Sequence, residues 1–382
     1  MKIGFLLPRS VLYPSIAFDM LDGLKAGLKT QGISDAQIVS ANIGLGAKND
    51  EIYNRCEQLL IDGADIILAY INPLSAEFIH PLFQNSGSLL LVLDSGYHFP
   101  SDLNKLSHAI YLSLQGNLCC RSIARAAVEE GHTRFAYTCS FYDAGYRSGF
   151  SFVNSLADRG GSIVYNHVTP LKKADFSLAP LSDFLKSRQA DAVIASFCGD
   201  MTEDFLREGL KLDIFRSHPV FGSPFMGEET WLGKIPYPGN DWVCAVPWST
   251  GLDNPENRHF VDTMEQIRPG KANVFSLLAW EASLLVGMAE KSGLPPEKAL
   301  GVLEGAVLQT PRGSVYVHAD THIAEAPVYH ATVIAGEAGH CRHGAVHEAA
   351  HTAEEREKLY GEIATLNAPA NAWLNAYACL DS

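Results

Sequence analysis

Five short stretches of this 382-residue chain place hydroxyls, phenols, amides and carboxylates at the ends of apolar runs. They are Tyr70-Ile71-Asn72-Pro73-Leu74-Ser75, Asp94-Ser95-Gly96-Tyr97, Ser140-Phe141-Tyr142-Asp143-Ala144-Gly145, Phe197-Cys198-Gly199-Asp200 and Ser223-Pro224-Phe225. Such a mixture can grip a small polar molecule with a few placed hydrogen bonds between apolar walls. The candidate contacts are Tyr70, Asn72, Ser75, Asp94, Ser95, Gly96, Tyr97, Tyr142, Asp143, Phe197, Asp200 and Phe225. The plain alternative for each is a residue that ends a strand and caps the next helix.

A second constellation suggests different chemistry. His347-Glu348-Ala349-Ala350-His351 is a literal HExxH segment. On a helix its two histidines share a face and can bind zinc, with Glu348 as general base. Residues 345–366 read as an Ala/Glu-rich helix that reaches back to His343. His343 and His351 would then stand about 12 Å apart, too far to share one ion. The HxxGxxH continuation is missing, and Glu362, a downstream carboxylate, falls on the same helix. A zinc-dependent hydrolase is therefore the secondary reading, and no metal or other cofactor is expected. No GxxxxGK[ST] or GxSxG segment occurs, and Gly44-Leu45-Gly46-Ala47-Lys48-Asn49 lacks the third glycine of a dinucleotide fingerprint.

The elements that must position these residues alternate regularly. Ile3 to Leu7, Ile38 to Ala41, Asp65 to Tyr70, Leu89 to Leu93 and Ala109 to Leu112 read as strands, with helices at Ser15 to Leu28, Asn49 (as N-cap) to Ile61 and Pro73 to Leu82. A second series follows, with strands at 135–139, 162–165, 192–197, 219–221 and 242–245 and helices at 117–130, 146–159, 178–188 and 201–210. Repeated strand–helix units predict two doubly wound parallel-sheet lobes. Three helices in succession (257–267, 275–291, 296–303) and strands at 314–317 and 328–333 read as the return of the chain over the first lobe and back across the hinge. A last short helix is expected over Asn371 to Leu380. Ligands of open α/β sheets sit beyond the carboxyl ends of the strands, where the five stretches fall.

This order of elements over about residues 1–335 resembles the type I periplasmic-binding-protein family, the branch that binds amino acids, amides or urea. The carrying residues are Pro255-Glu256-Asn257 with Phe260, Ala279 to Ala289, Leu303, Thr310-Pro311-x-Gly313-x-Val315, and His322 before Pro327. The resemblance implies two lobes joined by a multi-crossing hinge, residues 1–114 with 247–326 and residues 115–246 with 327–382. It implies closure on a small-molecule ligand, an amino acid, amide or urea-like compound, for ABC-type uptake or for sensing, without catalysis. Ser95, Tyr97 and Tyr142 stand where the amide-binding relatives carry ligand-facing hydroxyl and phenol groups. An amino-acid binder would put a carboxylate near Phe225; in its absence Asp143, Asp200 or Asp94 would have to hold an ammonium group. The implied partners are an ABC transporter permease or a regulated protein, with a homodimer allowed.

Bulk composition agrees. A net charge of −14 and a pI near 5.4 argue against nucleic acid and anionic membrane surfaces. No apolar run approaches the roughly 20 residues of a membrane span. The eight cysteines form no CxxC pair, and Cys139, Cys198 and Cys244 read as buried free thiols, which favours a reducing compartment. The expected location is the periplasm if Met1 replaces a removed signal peptide, and the cytoplasm if Met1 is the native start.

Overall fold

The structure, a computed structural model, describes residues 1–46, 48–101, 103, 106–141 and 148–366. The first lobe is built from β1 (Lys2–Leu7), α1 (Ile16–Thr30), β2 (Gln37–Asn42), α2 (Asn49–Ile61), β3 (Ile66–Tyr70), α3 (Pro73–Ser86), β4 (Leu89–Asp94) and β5 (Ala109–Ser113). Its strands pair in parallel in the order β2-β1-β3-β4-β5. Successive side chains of a strand point to opposite faces. Thus Phe5, Leu68 and Leu91 enter one apolar cluster, while Leu6, Ile67 and Val92 enter another on the reverse face. Burial on both faces explains the unbroken apolar runs.

The second lobe follows, with α4 (Gly116–Glu129), β6 (Arg134–Cys139), α5 (Ser148–Ala157), β7 (Ser162–Val168), α6 (Ala179–Leu185), β8 (Ala192–Ser196), α7 (Asp200–Lys211), α8 (Ile214–Ser217), β9 (Val220–Gly222), α9 (Glu229–Leu232) and β10 (Trp242–Val246). The chain then returns through α10 (Pro255–Ile267), α11 (Val274–Lys291) and α12 (Pro296–Leu303). A small antiparallel sheet of β11 (Val307–Thr310), β12 (Gly313–Val317) and β13 (Ala324–Glu325) leads to β14 (Tyr329–Ala335), β15 (Cys341–Glu348) and α13 (Thr352–Leu366). The second sheet runs β15-β14-β10-β9-β8-β6-β7, parallel except for the β10-β14-β15 ladder.

The long helix α11 lies against α1. Gly23 of α1 has no Cβ where the backbone of Ser276 comes closest, so the two axes can approach. The start of α11 is fixed by a capping box, Asn273 Oδ1 accepting from Ser276 N at 3.0 Å and Ser276 Oγ from Asn273 N at 3.1 Å. Asn273 and the buried Lys271 both bind Asp19 of α1.

The hinge is fastened by polar groups. Arg312, in the turn between β11 and β12, makes two bonds to Glu281 of α11, at 2.8 and 2.7 Å, and both side chains are fully buried. Its third donor group reaches Ser113 O at 2.9 Å, where the chain first crosses between lobes. Tyr329 Oη donates to Arg312 O at 2.7 Å. Gln115 joins the first and last crossings through Ala326 O at 2.7 Å and Ala326 N at 3.3 Å. Asn257 of α10 holds the middle crossing by donating to Thr250 O and Leu252 O.

Four expectations need correction. Residues 341–348 form a strand rather than the start of a helix, because β14 has an open edge that this segment pairs, His343 opposite Val333 and His347 opposite His330. The helix begins only at Thr352, after His351 takes a left-handed turn (φ 59°). The residue preceding α2 is Lys48, and Asn49 is its first helical residue. Cys198 is disulfide-bonded, whereas Cys139 and Cys244 are buried free thiols. The expected helix over 371–380 lies outside the described residues.

The C-terminal helix is docked by charge. Glu355, fully buried, accepts from Arg121 Nε at 2.9 Å and pairs with Arg159, while Arg121 also binds Glu362 at 2.7 Å. Glu362 thereby serves α4 rather than a metal. Tyr360 reaches the first lobe, its ring edge-on to Phe99 at 6.3 Å.

Removing one member of a buried ion pair leaves the other charge uncompensated. Glu281→Gln should therefore lower unfolding free energy by about 3–5 kcal/mol, and adding Arg312→Met should restore part of it. Urea titrations of the two variants check this.

Candidate functional site

The carboxyl ends of the strands of both lobes face one another across the cleft, and aromatic rings fill it. Tyr13, in the loop after β1, packs against Phe275 at 4.9 Å, against Phe225 at 6.2 Å and against Trp231 at 6.4 Å. Tyr97, after β4, meets Phe225 at 6.0 Å. Because Phe225 and Trp231 belong to the second lobe, these contacts describe a closed cleft.

Beside the rings lies a small cavity of about 10 Å³, room for about one water molecule in this closed arrangement. The first lobe supplies Ser95 and Val274, and the second supplies Pro224, Phe225, Gly227, Glu228 and Glu229. The crossings supply Leu114, Val246, Pro247 and Trp248. Local chemistry fixes these positions. Val274 opens α11 directly after the Asn273 cap. Trp248 donates from Nε1 to Asn257 Oδ1 at 2.7 Å. The Ser95 turn depends on Gly96, whose φ is 77°, because a Cβ there would collide with the backbone of Gln115.

Two polar groups of the lining are buried with an atom unsatisfied. Ser95 is 1% exposed and its Oγ has no partner among the described residues. Glu228 is 4% exposed; its Oε1 accepts from Thr230 Oγ1 at 2.7 Å, and its Oε2 has no partner among the described residues. Burial pushes the Glu228 carboxyl up to about 7, with Thr230 opposing and Glu229 adding to the rise. Burial also raises Asp94 to about 7, against the bond that its carboxyl accepts from Gly96 N. The Tyr70 phenol is driven upward by burial and by Asp94.

The structure brings some of the residues singled out from the sequence together and gives others separate work. Ser95 and Phe225 line the cavity, Asp94, Gly96 and Tyr97 share the Ser95 turn, and Tyr70 lies buried against Phe275 at 6.1 Å. Asn72 caps α3 by accepting from Leu74 N at 2.9 Å, and Ser75 donates to Asn49 at 2.8 Å. Phe197 stacks on Phe205 at 4.8 Å, and Asp200 pairs with Lys173 at the surface. None of these four lines the cavity, because helix starts and the second-lobe core claim their side chains. Tyr142 and Asp143 lie outside the described residues.

The zinc reading fails on geometry. His347 and Glu348 lie on strand β15 and His351 in the turn beyond it, so the shared helical face does not exist. Among the described residues no group of three or more His, Cys, Asp or Glu side chains could hold a metal ion. Sequence reading missed Tyr13, Trp248, Val274 and above all Glu228. Glu228 lies three residues beyond Phe225 in the same loop, a signal that was present but could not be told from a solvated surface acid.

Residues 1–338 match the sequence profile described as Periplasmic binding protein. Solved structures share the fold. An ABC transporter substrate-binding protein from Sphaerobacter thermophilus is 17% identical with a TM-score of 0.78, over 91% of this chain and 98% of that one. A solute-binding protein of an ABC transporter from Rhodopseudomonas palustris HaA2, in complex with p-hydroxybenzoic acid, is 18% identical with a TM-score of 0.74, over 91% and 97%. An ABC-type branched-chain amino acid transporter structure from Rhodopseudomonas palustris CGA009 is 18% identical with a TM-score of 0.70, over 93% and 97%. No curated protein sequence matches the chain. No helix among the described residues is long and apolar enough to cross a membrane.

A carboxyl whose folded-state pKa is raised favours folding while it is neutral. That contribution is present below the unfolded value near 4.5 and is lost as pH rises through about 7. Ligand-free Glu228→Gln should therefore be more stable than wild type at pH 8 to 9, by up to about 3 kcal/mol. The advantage should vanish near pH 5. Denaturant unfolding across pH measures it.

Proposed function

The chain belongs to the periplasmic-binding-protein family, and from that premise we propose that its lobes close on a small polar ligand with an amide or urea-like head. The observation that carries this reading is the pair of unsatisfied buried oxygens, Ser95 Oγ and Glu228 Oε2, lining one cavity from opposite lobes. Leaving such an atom unpaired costs about 1–3 kcal/mol, which a ligand can recover. An amide carbonyl would accept from the Ser95 hydroxyl, and its NH₂ would donate to Glu228. Leu114, Phe225, Val246, Trp248 and Val274 offer apolar walls for a short substituent.

The aromatic acid held by the Rhodopseudomonas palustris HaA2 protein supports a ligand with an apolar body. A carboxylate head is disfavoured here, because Glu228 and Glu229 line the cavity and no Lys, Arg or His is among its described lining residues. An amino acid is the second reading, favoured by the same Glu228, which would pair with an ammonium group. In this reading residues 1–114 with 247–326 close on residues 115–246 with 327–382, and ligand contacts from both sides favour the closed state. The family supports delivery of that closed form to an ABC transporter permease in the periplasm; a sensor reporting to a regulated protein would use the same motion.

A calorimetric panel of short amides, ureas and amino acids tests the proposal. At least one amide or urea should bind, and Ser95→Ala should weaken it by about tenfold, the worth of one hydrogen bond. An ammonium ligand needs ionised Glu228, so its affinity should fall about tenfold from pH 8 to pH 6, whereas that of a neutral amide should change far less. No binding by any member of the panel would refute both readings.

A further inference from the structure

We propose that His343 is a positioning residue of the ligand cleft, holding with one imidazole the two segments that place Glu228 and Trp248 in the cavity wall. The proposal takes the Ser95–Glu228 cavity as the ligand site. His343 lies on β15, beyond the last residue matched by the family profile.

The hydrogen bonds fix the tautomer. His343 Nε2 is 2.8 Å from Gly227 O. A carbonyl can only accept, so Nε2 carries the hydrogen and Nδ1 is left as an acceptor. Ser249 Oγ, 2.8 Å from Nδ1, supplies the donor. The same hydroxyl accepts from Gly251 N at 3.2 Å. Gly227 directly precedes Glu228, and Ser249 directly follows Trp248. The imidazole therefore bridges the loop after β9 and the crossing after β10, the two segments that form most of the cavity wall.

A second bond closes the bracket. Glu229 accepts from Thr250 N at 2.7 Å and from Thr250 Oγ1 at 2.8 Å, tying the same loop to the same crossing. Glu229 Oε1 also stands 3.6 Å from His343 Nδ1. Burial lowers the pKa of the imidazole, against Glu229 and the Gly227 bond, and so favours the neutral form in which Nδ1 accepts from Ser249. A strand residue buried in a ladder is a rigid mount for this role. Without it the bonds of Glu229 to Thr250 would be the polar tie left between segment 227–229 and this crossing among the described residues, and the Glu228 carboxyl could turn toward water.

The test needs no ligand. Difference infrared spectroscopy of the full chain follows the Glu228 carbonyl band, assigned by its loss in Glu228→Gln. In the wild type this group should titrate near pH 7. His343→Leu should lower the midpoint by about one unit or more, because the released loop hydrates the carboxyl. His343→Gln can donate to Gly227 O and accept from Ser249, and should hold the midpoint close to the wild-type value. An unchanged midpoint in a folded His343→Leu would overturn the proposal. If that variant does not fold, His343→Asn decides in the same way, since its amide is too short to span both partners; a wild-type midpoint there would also overturn the proposal. Acetamide titrations run alongside separate the two readings. Failure of acetamide to bind wild type counts against the amide ligand, while the infrared comparison still judges His343.

Discussion

The buried pair of Arg312 and Glu281 is the constraint on which the two-lobe arrangement rests. Both side chains are fully buried, so the pair can exist only if its remaining donors are also satisfied, and Ser113 O takes one of them. That requirement joins three distant parts of the chain: the long helix of the first lobe, the turn between β11 and β12, and the first crossing to the second lobe. Tyr329 then ties the last crossing to the Arg312 carbonyl. Single apolar contacts would tolerate a range of geometries at this point. A bidentate guanidinium–carboxylate pair with a third fixed acceptor tolerates few.

The cleft shows the opposite balance. Where the hinge pairs Arg312 with Glu281, the cavity leaves Ser95 Oγ and Glu228 Oε2 without a partner among the described residues, and burial raises the Glu228 and Asp94 carboxyls to about 7. Folding alone would select against such groups. They lie beside a ring cluster of Tyr13, Tyr97, Phe225, Trp231 and Phe275, and the proposed ligand would satisfy them. The tail supports this region as well as covering it. β15 brings His343 under the β9 loop, and α13, docked through Glu355 on Arg121, carries Tyr360 to Phe99, near the Ser95 turn.

Much of the fold was legible in the residues. Strands buried on both faces leave unbroken apolar runs, and amphipathic helices leave a helical period, so the alternation of the two lobes follows from sequence pattern alone. The segment at 341–348 was not legible, because its Ala, Glu and His content favours a helix in isolation. The open edge of β14, a partner distant in meaning though near in sequence, gives its backbone groups a better set of bonds.

The site divides along the same line. The sequence by itself pointed to the loops at the strand ends, because strand ends and their following turns are local features, and of the residues it singled out Ser95 and Phe225 line the cavity. Only the tertiary structure decided that Glu228 is buried, that Asp200 is spent on Lys173, and that His343 stands beneath the β9 loop rather than on a metal-binding helix. A carboxylate or an imidazole has no fixed role in a sequence. Its role is set by what desolvates it and what bonds it, and both come from residues far away in the chain.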